Sequence, residues 1–471
     1  MQELTIPLDA GEKQPLYLQI YTFIRREAEA GRIVKGEKLP SARALALQLN
    51  VSRSTVDLAY GQLVAEGYLE AYPCRGYFLS GLEAVERQDL PEETCREIPA
   101  GQREEEGIRW DFTLSGIAPD GFPCNVWRKL SREVLASDDG SLFQLGDPQG
   151  DRGLREAIAS YLYHSRGALC APEQILVGAG NDYLLLLLSV ILGEERRVAM
   201  EDPTYRSARE TFGNLGWPVC AVAMDSQGMD PEELRKSGAD LAYVMPSHQF
   251  PMGTVMPIGR RMKLLAWAAE KEGRYLIEDD YDSEFRYRGK PIPALLGADT
   301  LGKVIYLGTF SRSVAPAIRV SYMVLPSALM KRYRGLNKVF SATVSRVDQK
   351  ILELFLKQGY YSRHLNRMRI RYREKRDLLA AGLRRIAAVE SIVGEEAGVH
   401  LAVRLKKGVS EQIRVRQAAS LGVRVYGLSG YLLGERREED PPVILLGYAA
   451  MEAKELKEAL KRLEKAWGDG R

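Results

Sequence analysis

A two-part α/β architecture is what the sequence predicts, and three features predict it. The first eighty residues carry three amphipathic helical stretches and a short hairpin. From about Ser141 to Val324, short apolar runs alternate with helical segments, the pattern of strands in a mostly parallel sheet between layers of helices. Residues 82–106, between the two, are acidic and proline-bearing, a composition that cannot bury a core. A chain of 471 residues also exceeds what one hydrophobic core usually serves.

In the amino-terminal part, Leu16, Leu18, Ile20, Ile24 and Ala28 recur at helical spacing between Pro15 and Ala30, and Gly31 stops the helix. Leu39-Pro40-Ser41 starts a second helix with Ser41 as N-cap and Leu45, Ala46 and Leu49 inside. After Asn50-Val51, Ser52 opens a third, whose inner face is Val56, Ala59, Tyr60, Leu63 and Val64. Gly67-Tyr68-Leu69 begins a strand, and Arg75-Gly76 is the tip of a hairpin closed by Tyr77, Phe78 and Leu79. Three helices and a hairpin make a winged helix-turn-helix, in which one helix enters the major groove of DNA and the wing lies along the backbone or minor groove.

The run Leu-Pro-Ser-x-Arg-x-Leu-Ala-x-x-Leu-x-Val-Ser-Arg-x-Thr-Val, residues 39–56, resembles the DNA-reading module of the GntR family. The resemblance implies that Arg43, Ser52, Arg53 and Thr55 face DNA and that Arg75 and Gly76 form the wing tip. The chemistry agrees: hydroxyls at a helix N-terminus bind phosphate, and arginine forks onto guanine. Charge alone adds nothing, because residues 1–80 hold nine basic and nine acidic side chains, so each arginine taken singly is also explained as a solvated helix residue. One module makes few contacts, so paired half-sites on a double-stranded operator and a dimeric protein are expected.

Domain bounds follow: the winged helix over 1–80, an acidic linker over 81–107, and a body over 108–471. Within the linker, residues 82–106 carry nine acidic and three basic side chains, which repel one another. The body divides into a large subdomain at about 141–330 and a small one from 108–140 with 340–471.

Composition excludes several classes. A 45% hydrophobic and 27% charged chain with net charge +3 is an ordinary globular sequence. Cys74, Cys95, Cys124, Cys170 and Cys220 are scattered without metal-ligand spacing, as reduced thiols are. The opening Met-Gln-Glu-Leu-Thr lacks the basic and then apolar pattern of a secretory signal. Leu184–Leu192, the longest apolar run, is about half the length that spans a bilayer, so a buried helix, no membrane and a cytoplasmic location are expected.

Ligands of such sheets sit at the carboxyl ends of the strands, and polar motifs fall there repeatedly. Val177-Gly178-Ala179-Gly180-Asn181-Asp182 is a glycine-rich turn before an apolar helix, suited to phosphate and equally explained as a tight turn. Glu201-Asp202-Pro203-Thr204-Tyr205, Pro246-Ser247-His248-Gln249-Phe250-Pro251-Met252-Gly253 and Ile277-Glu278-Asp279-Asp280-Tyr281 each follow a strand. Val304–Pro326 runs from a strand through Gly308-Thr309-Phe310-Ser311-Arg312 to Arg319 and a second strand.

These five motifs, in this order, resemble fold-type I pyridoxal-phosphate (PLP) enzymes, and most closely the aminotransferase-like body of MocR/GabR-type transcription regulators. The resemblance implies a PLP site. Gly180, Asn181, Ser311 and Arg319 lie at the phosphate end, Tyr205 stacks on the ring, and Ser247 falls where an asparagine stands near the ring hydroxyl. Asp279 meets the pyridine nitrogen and Tyr281 the ring oxygen. The family's Ser-Lys-x-x-x-Pro-x-x-Arg puts the Schiff-base lysine directly after the serine; here Arg312 stands there. A guanidinium stays protonated and cannot capture an aldehyde, and no lysine lies between Lys303 and Lys331. PLP is therefore expected to be held noncovalently or lost, with no catalytic residue and no turnover, and Arg312 to pair with the phosphate or with Asp279.

Toward the carboxyl end, Val344–Leu383 reads as one long amphipathic helical stretch whose arginines between 363 and 376 form a solvated face. His400–Val403, Val423–Tyr426, Val443–Leu446 and Lys454–Ala466 fit an aminotransferase small domain. The arginine that holds a ligand carboxylate in the family is missing after Leu428-Ser429, so Arg206 or Arg209 is an alternative.

The reading is thus a DNA-binding regulator, a head-to-tail homodimer by the resemblance, whose body senses a small amine or amino-acid effector. A PLP-dependent aminotransferase with a DNA-binding appendage and a ligand-free dimerisation platform remain the alternatives.

Overall fold

The computed structural model describes residues 6–9, 14–80, 107–136, 140–193, 195–287, 289, 291–336, 340–434 and 440–468. Apart from Gly107, the linker expected over 81–107 lies outside the described residues. The chain divides into two compact units, Met1–Arg103 and Glu104–Arg471.

The first unit is α1 (Leu16–Glu29), α2 (Ala42–Leu49), α3 (Arg53–Ala65) and an antiparallel hairpin of β1 (Leu69–Tyr72) and β2 (Gly76–Leu79). Its core gathers Ile20 and Ile24 of α1, Leu45 of α2, and Val56, Tyr60 and Leu63 of α3, all fully buried. Ser41 and Ser52 cap α2 and α3 by accepting from the amides of Ala44 and Thr55, each at 3.2 Å, which satisfies N–H groups that the helix leaves unpaired. Between the helices Asn50 takes the left-handed conformation at φ 51°, which asparagine tolerates, and turns the chain sharply. The Tyr60 hydroxyl, donating to the Pro40 carbonyl at 2.9 Å, fastens α3 to the entry of α2.

The second unit begins with β3 (Trp110–Asp111), α4 (Cys124–Leu135) and α5 (Arg152–Arg166). The sheet segment follows: β4 (Ile175–Gly178), α6 (Asn181–Leu192), β5 (Val198–Asp202), α7 (Arg206–Asn214), β6 (Val219–Asp225), β7 (Gly228–Met229), α8 (Pro231–Lys236), β8 (Leu241–Val244), α9 (Ile258–Ala269), β9 (Tyr275–Asp280), β10 (Val304–Thr309) and β11 (Ser321–Val324). The strands form one eight-stranded sheet in the order β4-β11-β10-β9-β8-β5-β6-β7. Neighbours from β10 to β6 are parallel, whereas β11 runs against both β4 and β10, and β7 against β6. Alternate residues of each strand serve opposite faces. Ile277, Ile305 and Leu307 share a core with Leu184 and Leu188 of α6; Leu276 and Val304 share another with Leu264 and Trp267 of α9. Strand β6, second from the edge between β5 and the two-residue β7, has mixed burial.

Beyond the sheet come α10 (Ser327–Gly335), α11 (Arg346–Lys357), α12 (Tyr360–Leu383), β12 (Val389–Val393), β13 (His400–Leu405), α13 (Glu411–Ser420), β14 (Val423–Arg424), β15 (Tyr426–Gly427), β16 (Val443–Gly447) and α14 (Ala453–Trp467). Here β12-β13-β16-β15 form an antiparallel sheet, and β14 pairs in parallel with β3.

Three expectations are corrected. The single stretch Val344–Leu383 is two helices, because Gly359 adopts φ +71° and ends α11. Its basic run is not wholly solvated. Lys375 and Arg376 are buried, the Lys375 ammonium donating to the Ala449 carbonyl at 2.9 Å, and Arg369 donates to the Glu284 carbonyl at 2.6 Å. On α6, Leu186 and Val190 remain 48% and 43% exposed, so that helix is buried on one face only. Among the described residues no helix is long and apolar enough to cross a membrane.

Candidate functional site

In the first unit, Ser52, Arg53 and Thr55 share the amino-terminal turn of α3; Ser52 and Arg53 are exposed and Thr55 is half-buried. The Ser52 hydroxyl stands 2.8 Å from the Thr55 hydroxyl while accepting the Thr55 amide, so these two residues act first on their own helix end. Arg53 leans along the helix to Asp57 at 3.3 Å, a surface pair that a phosphate or base can displace. Arg43 is exposed at the second position of α2. Arg75 is exposed in the hairpin turn, where Gly76 adopts φ +103°, a conformation that favours glycine.

In the second unit the parallel strands deliver their carboxyl ends to one edge of the sheet. Eight of the nine residues expected at the cofactor line one cavity of about 190 Å³ there: Gly180, Asn181, Tyr205, Asp279, Tyr281, Ser311, Arg312 and Arg319. Ser247 is the exception. It is buried, and its hydroxyl accepts from Arg166 Nη2 at 2.6 Å, so it belongs to the layer beneath the cavity. Sequence reasoning gave no role to seven further lining residues: Ser115 and Met245 stand outside the quoted motifs, and Asp182, Phe250, Thr309, Pro316 and Ser321 within them.

One wall of the cavity is a cation held close to backbone. A Cβ on Gly180, at φ +103°, would collide with the Arg319 guanidinium, so only glycine leaves that approach open. Arg319, itself left-handed at φ 47°, donates to the Ala179 carbonyl at 3.3 Å and stands 3.6 Å from Asp182. Gly180 also caps α6, whose unpaired amides give this wall a positive field. Ser311, two residues after the end of β10, donates its amide to the Thr309 hydroxyl at 3.1 Å, and Ser321 braces the same hydroxyl at 2.8 Å.

Deeper in, Asp279 at the end of β9 receives the Tyr243 hydroxyl and, at 3.4 Å, the Asn181 side-chain amide. Burial pushes its carboxyl up to about 7, with the Asp280 and Asp282 charges adding to that and the two donors opposing it. Tyr281 places its hydroxyl 3.0 Å from His248 Nδ1, which lies 2.9 Å from the buried Asp282 carboxylate. The His400 ring lies 5.3 Å from that of His248, tilted by 52°, and is kept neutral, its pKa lowered to about 3 by burial.

Beneath the lining runs a buried ion pair. Arg166 Nε donates to Asp280 at 2.7 Å, and the Tyr306 hydroxyl donates to the same oxygen at 2.6 Å. Adjacent residues of β9 therefore point oppositely, Asp279 into the cavity and Asp280 into this support.

Arg312 lines the cavity, and its Nη1 atom is buried without a hydrogen-bond partner. The expected pairing with Asp279 is not seen: no carboxylate among the described residues lies within 4.0 Å of the guanidinium, because the Asp279 oxygens face Tyr243 and Asn181. Arg206 and Arg209, the alternatives for a ligand carboxylate, do not line the cavity. Arg206 pairs with Glu210 at 2.6 Å, and Arg209 donates to the Leu432 carbonyl at 2.9 Å.

A winged helix-turn-helix unit and a body whose cavity lies at the carboxyl edge of an aminotransferase-type sheet define a DNA-binding regulator of composite build. Residues 16–79 match the bacterial regulatory proteins of the gntR family, and residues 113–463 match aminotransferase class I and II. The chain is 38% identical to the Uncharacterized HTH-type transcriptional regulator YhdI of Bacillus subtilis (strain 168), over 99% of this chain and 98% of that protein. It is 32% identical to the Probable rhizopine catabolism regulatory protein MocR of Rhizobium meliloti, over 98% and 95%. Among solved structures, the multiple substrate aminotransferase from Thermococcus profundus superposes with a TM-score of 0.67 at 25% identity, covering 77% of this chain and 92% of that one. The chain belongs to the MocR type of transcription regulator, a GntR-family reader joined to an aminotransferase class I and II body.

Proposed function

We propose that the chain binds a double-stranded operator as a cytoplasmic, head-to-tail homodimer, and that its body senses a small amine or amino-acid effector with PLP held noncovalently and without turnover. The observation that carries this reading is Arg312: it lines the cavity where relatives are expected to have the anchoring lysine, and no lysine is among the lining residues. Because a guanidinium is neither nucleophile nor proton shuttle near neutral pH, the site can hold a ligand and cannot process it.

The residues present fit the cofactor on two counts. The Gly180 cradle leaves room for an anion beside Arg319 and the α6 amides, and Asn181 Oδ1 and Arg312 Nη1 are buried polar atoms still lacking partners. Arg319, Ser311 and Gly180 would hold the phosphate, Tyr205 the ring face, Asp279 the pyridine nitrogen and Tyr281 the ring oxygen. PLP, when bound, supplies a protonated ring that withdraws electrons. Ser247, spent on Arg166, is left out of this set. The unpaired state of Cys74, Cys124, Cys170 and Cys220 accords with a reducing compartment.

Supplying the purified full chain with PLP, an amino acid and a keto acid tests the reading. The expected outcome is no transfer of the amino group, together with a changed footprint on operator DNA. Sustained formation of the second keto acid would instead make the chain an aminotransferase with a DNA-binding appendage.

A further inference from the structure

We propose that Arg312 makes the cavity select phosphorylated pyridines whose C4 substituent ends in an oxygen acceptor, and reject those whose C4 substituent ends in an ammonium; this rests on the reading that the cavity holds such a ring.

The two guanidiniums of the cavity are in different states. Arg319 is compensated from the protein side by the Asp182 carboxylate at 3.6 Å and the Ala179 carbonyl at 3.3 Å, and it is half-exposed. Arg312 has neither, and its Nη1 is sealed from solvent with nothing to donate to. Among the polar groups that feel its charge are the phenols of Tyr205, Tyr281, Tyr372 and Tyr431, all shifted upward by burial and so neutral, and neutral His400. Asp279, a carboxyl that lines the cavity, already accepts from Tyr243 and Asn181 and is held up at about 7 by burial. A ligand in the cavity that Arg312 lines would supply the missing acceptor once the guanidinium turns toward it, and arginine cannot shed its proton to avoid the need.

The identity of that acceptor follows from sequence position. Residue 312 directly follows Ser311 in the segment that ends at Arg319, the place where the resemblance puts the residue that meets the C4 aldehyde. A lysine there favours the aldehyde through a covalent bond. Arginine replaces that preference with one of charge and hydrogen-bond polarity. An aldehyde or hydroxymethyl oxygen accepts from the guanidinium, whereas an aminomethyl group, protonated near neutral pH, opposes donor with donor and cation with cation. The pocket of this chain would distinguish the aldehyde and hydroxymethyl forms of the phosphorylated pyridine from its aminomethyl form without chemistry.

Equilibrium dialysis of the full chain against PLP, pyridoxine 5'-phosphate and pyridoxamine 5'-phosphate, read by ligand absorbance, tests this. The native chain is expected to bind the first two at least about tenfold more tightly than the third, a margin set by one well-made polar contact against a mismatched one. Arg312→Gln, which donates and accepts, should shrink the margin to about threefold or less. Equal affinity for all three ligands, or a margin that survives in Arg312→Gln, overturns the selection while leaving the cofactor reading in place. Retention of none of the three removes the cofactor reading and this inference with it. The ranking by the native chain is decisive by itself should the variant not fold.

Discussion

Gly180 and the Arg319 guanidinium stand so close that a Cβ on residue 180 would overlap the cation, and Gly180 holds φ +103° to permit it. Gly180→Ala therefore forces the half-exposed arginine outward and strains the α6 cap. Strain of this kind costs about 1 kcal/mol of stability. The lost charge-assisted contact costs about 1.5–3 kcal/mol of binding, or roughly ten- to a hundredfold in affinity for a phosphate-bearing ligand. Dialysis and thermal melting of the variant check both figures, and unchanged affinity would place the phosphate elsewhere.

The Asp279 carboxyl sits at about 7 in the fold against 3.8 for the unconstrained group, so between those values the folded chain keeps a proton that the unfolded chain has lost. That contribution to stability is complete below about pH 4 and disappears as pH rises through 7, at most on the order of 4 kcal/mol. Glu201, Glu278 and Glu284 are also raised to about 7 by burial, so the native chain alone does not isolate Asp279. Asp279→Asn does: relative to the native chain its denaturant midpoint should rise clearly at pH 8 and much less at pH 5. An equal loss at both pH values would mean that Asp279 is charged throughout.

Arg166 and Asp280 are both buried, with Ser247 and Tyr306 completing the pair. Arg166→Met strands a carboxylate and should cost about 3–5 kcal/mol. Arg166→Met combined with Asp280→Asn should recover part of it, because the uncompensated charge is gone. Chemical denaturation of the two proteins measures the difference, and a double variant no better than the single one would show that geometry, not charge, is what the pair supplies.

For the reader unit, Arg43→Ala and Arg53→Ala should each weaken specific operator binding by about 1–3 kcal/mol if they reach base edges. Arg75→Ala, on the wing, should weaken all DNA sequences alike and lower the salt dependence by about one ion. Band-shift titrations over a salt series separate the two behaviours. A variant with native affinity at every salt concentration takes that arginine out of the interface.

The reader unit was legible because its helices are short, capped by Ser41 and Ser52, and patterned by Val56, Ala59, Tyr60 and Leu63 at helical spacing. In the body, strand-end motifs gave eight lining residues, since a parallel sheet places consecutive strand ends together wherever they fall in the chain. What the sequence concealed was direction. Asp279 and Asp280 are neighbours and point to different places, and Ser247 turns to Arg166, 81 residues away, with no local signal for that contact. Tyr243, on β8 and in no quoted motif, donates to Asp279; Ser115 arrives from outside any motif. The break at Gly359 needed the positive φ to be seen.

A ligand cradle that lacks an anchoring amine is the central claim. Incubation of the purified chain with PLP, reduction with borohydride and intact-mass measurement test it most directly, with Arg312→Lys as the comparison. The native chain should retain PLP on native dialysis yet show no added mass after reduction, while Arg312→Lys gains one cofactor per chain. A native chain that carries reduced cofactor covalently fixed to one of its own lysines would contradict it.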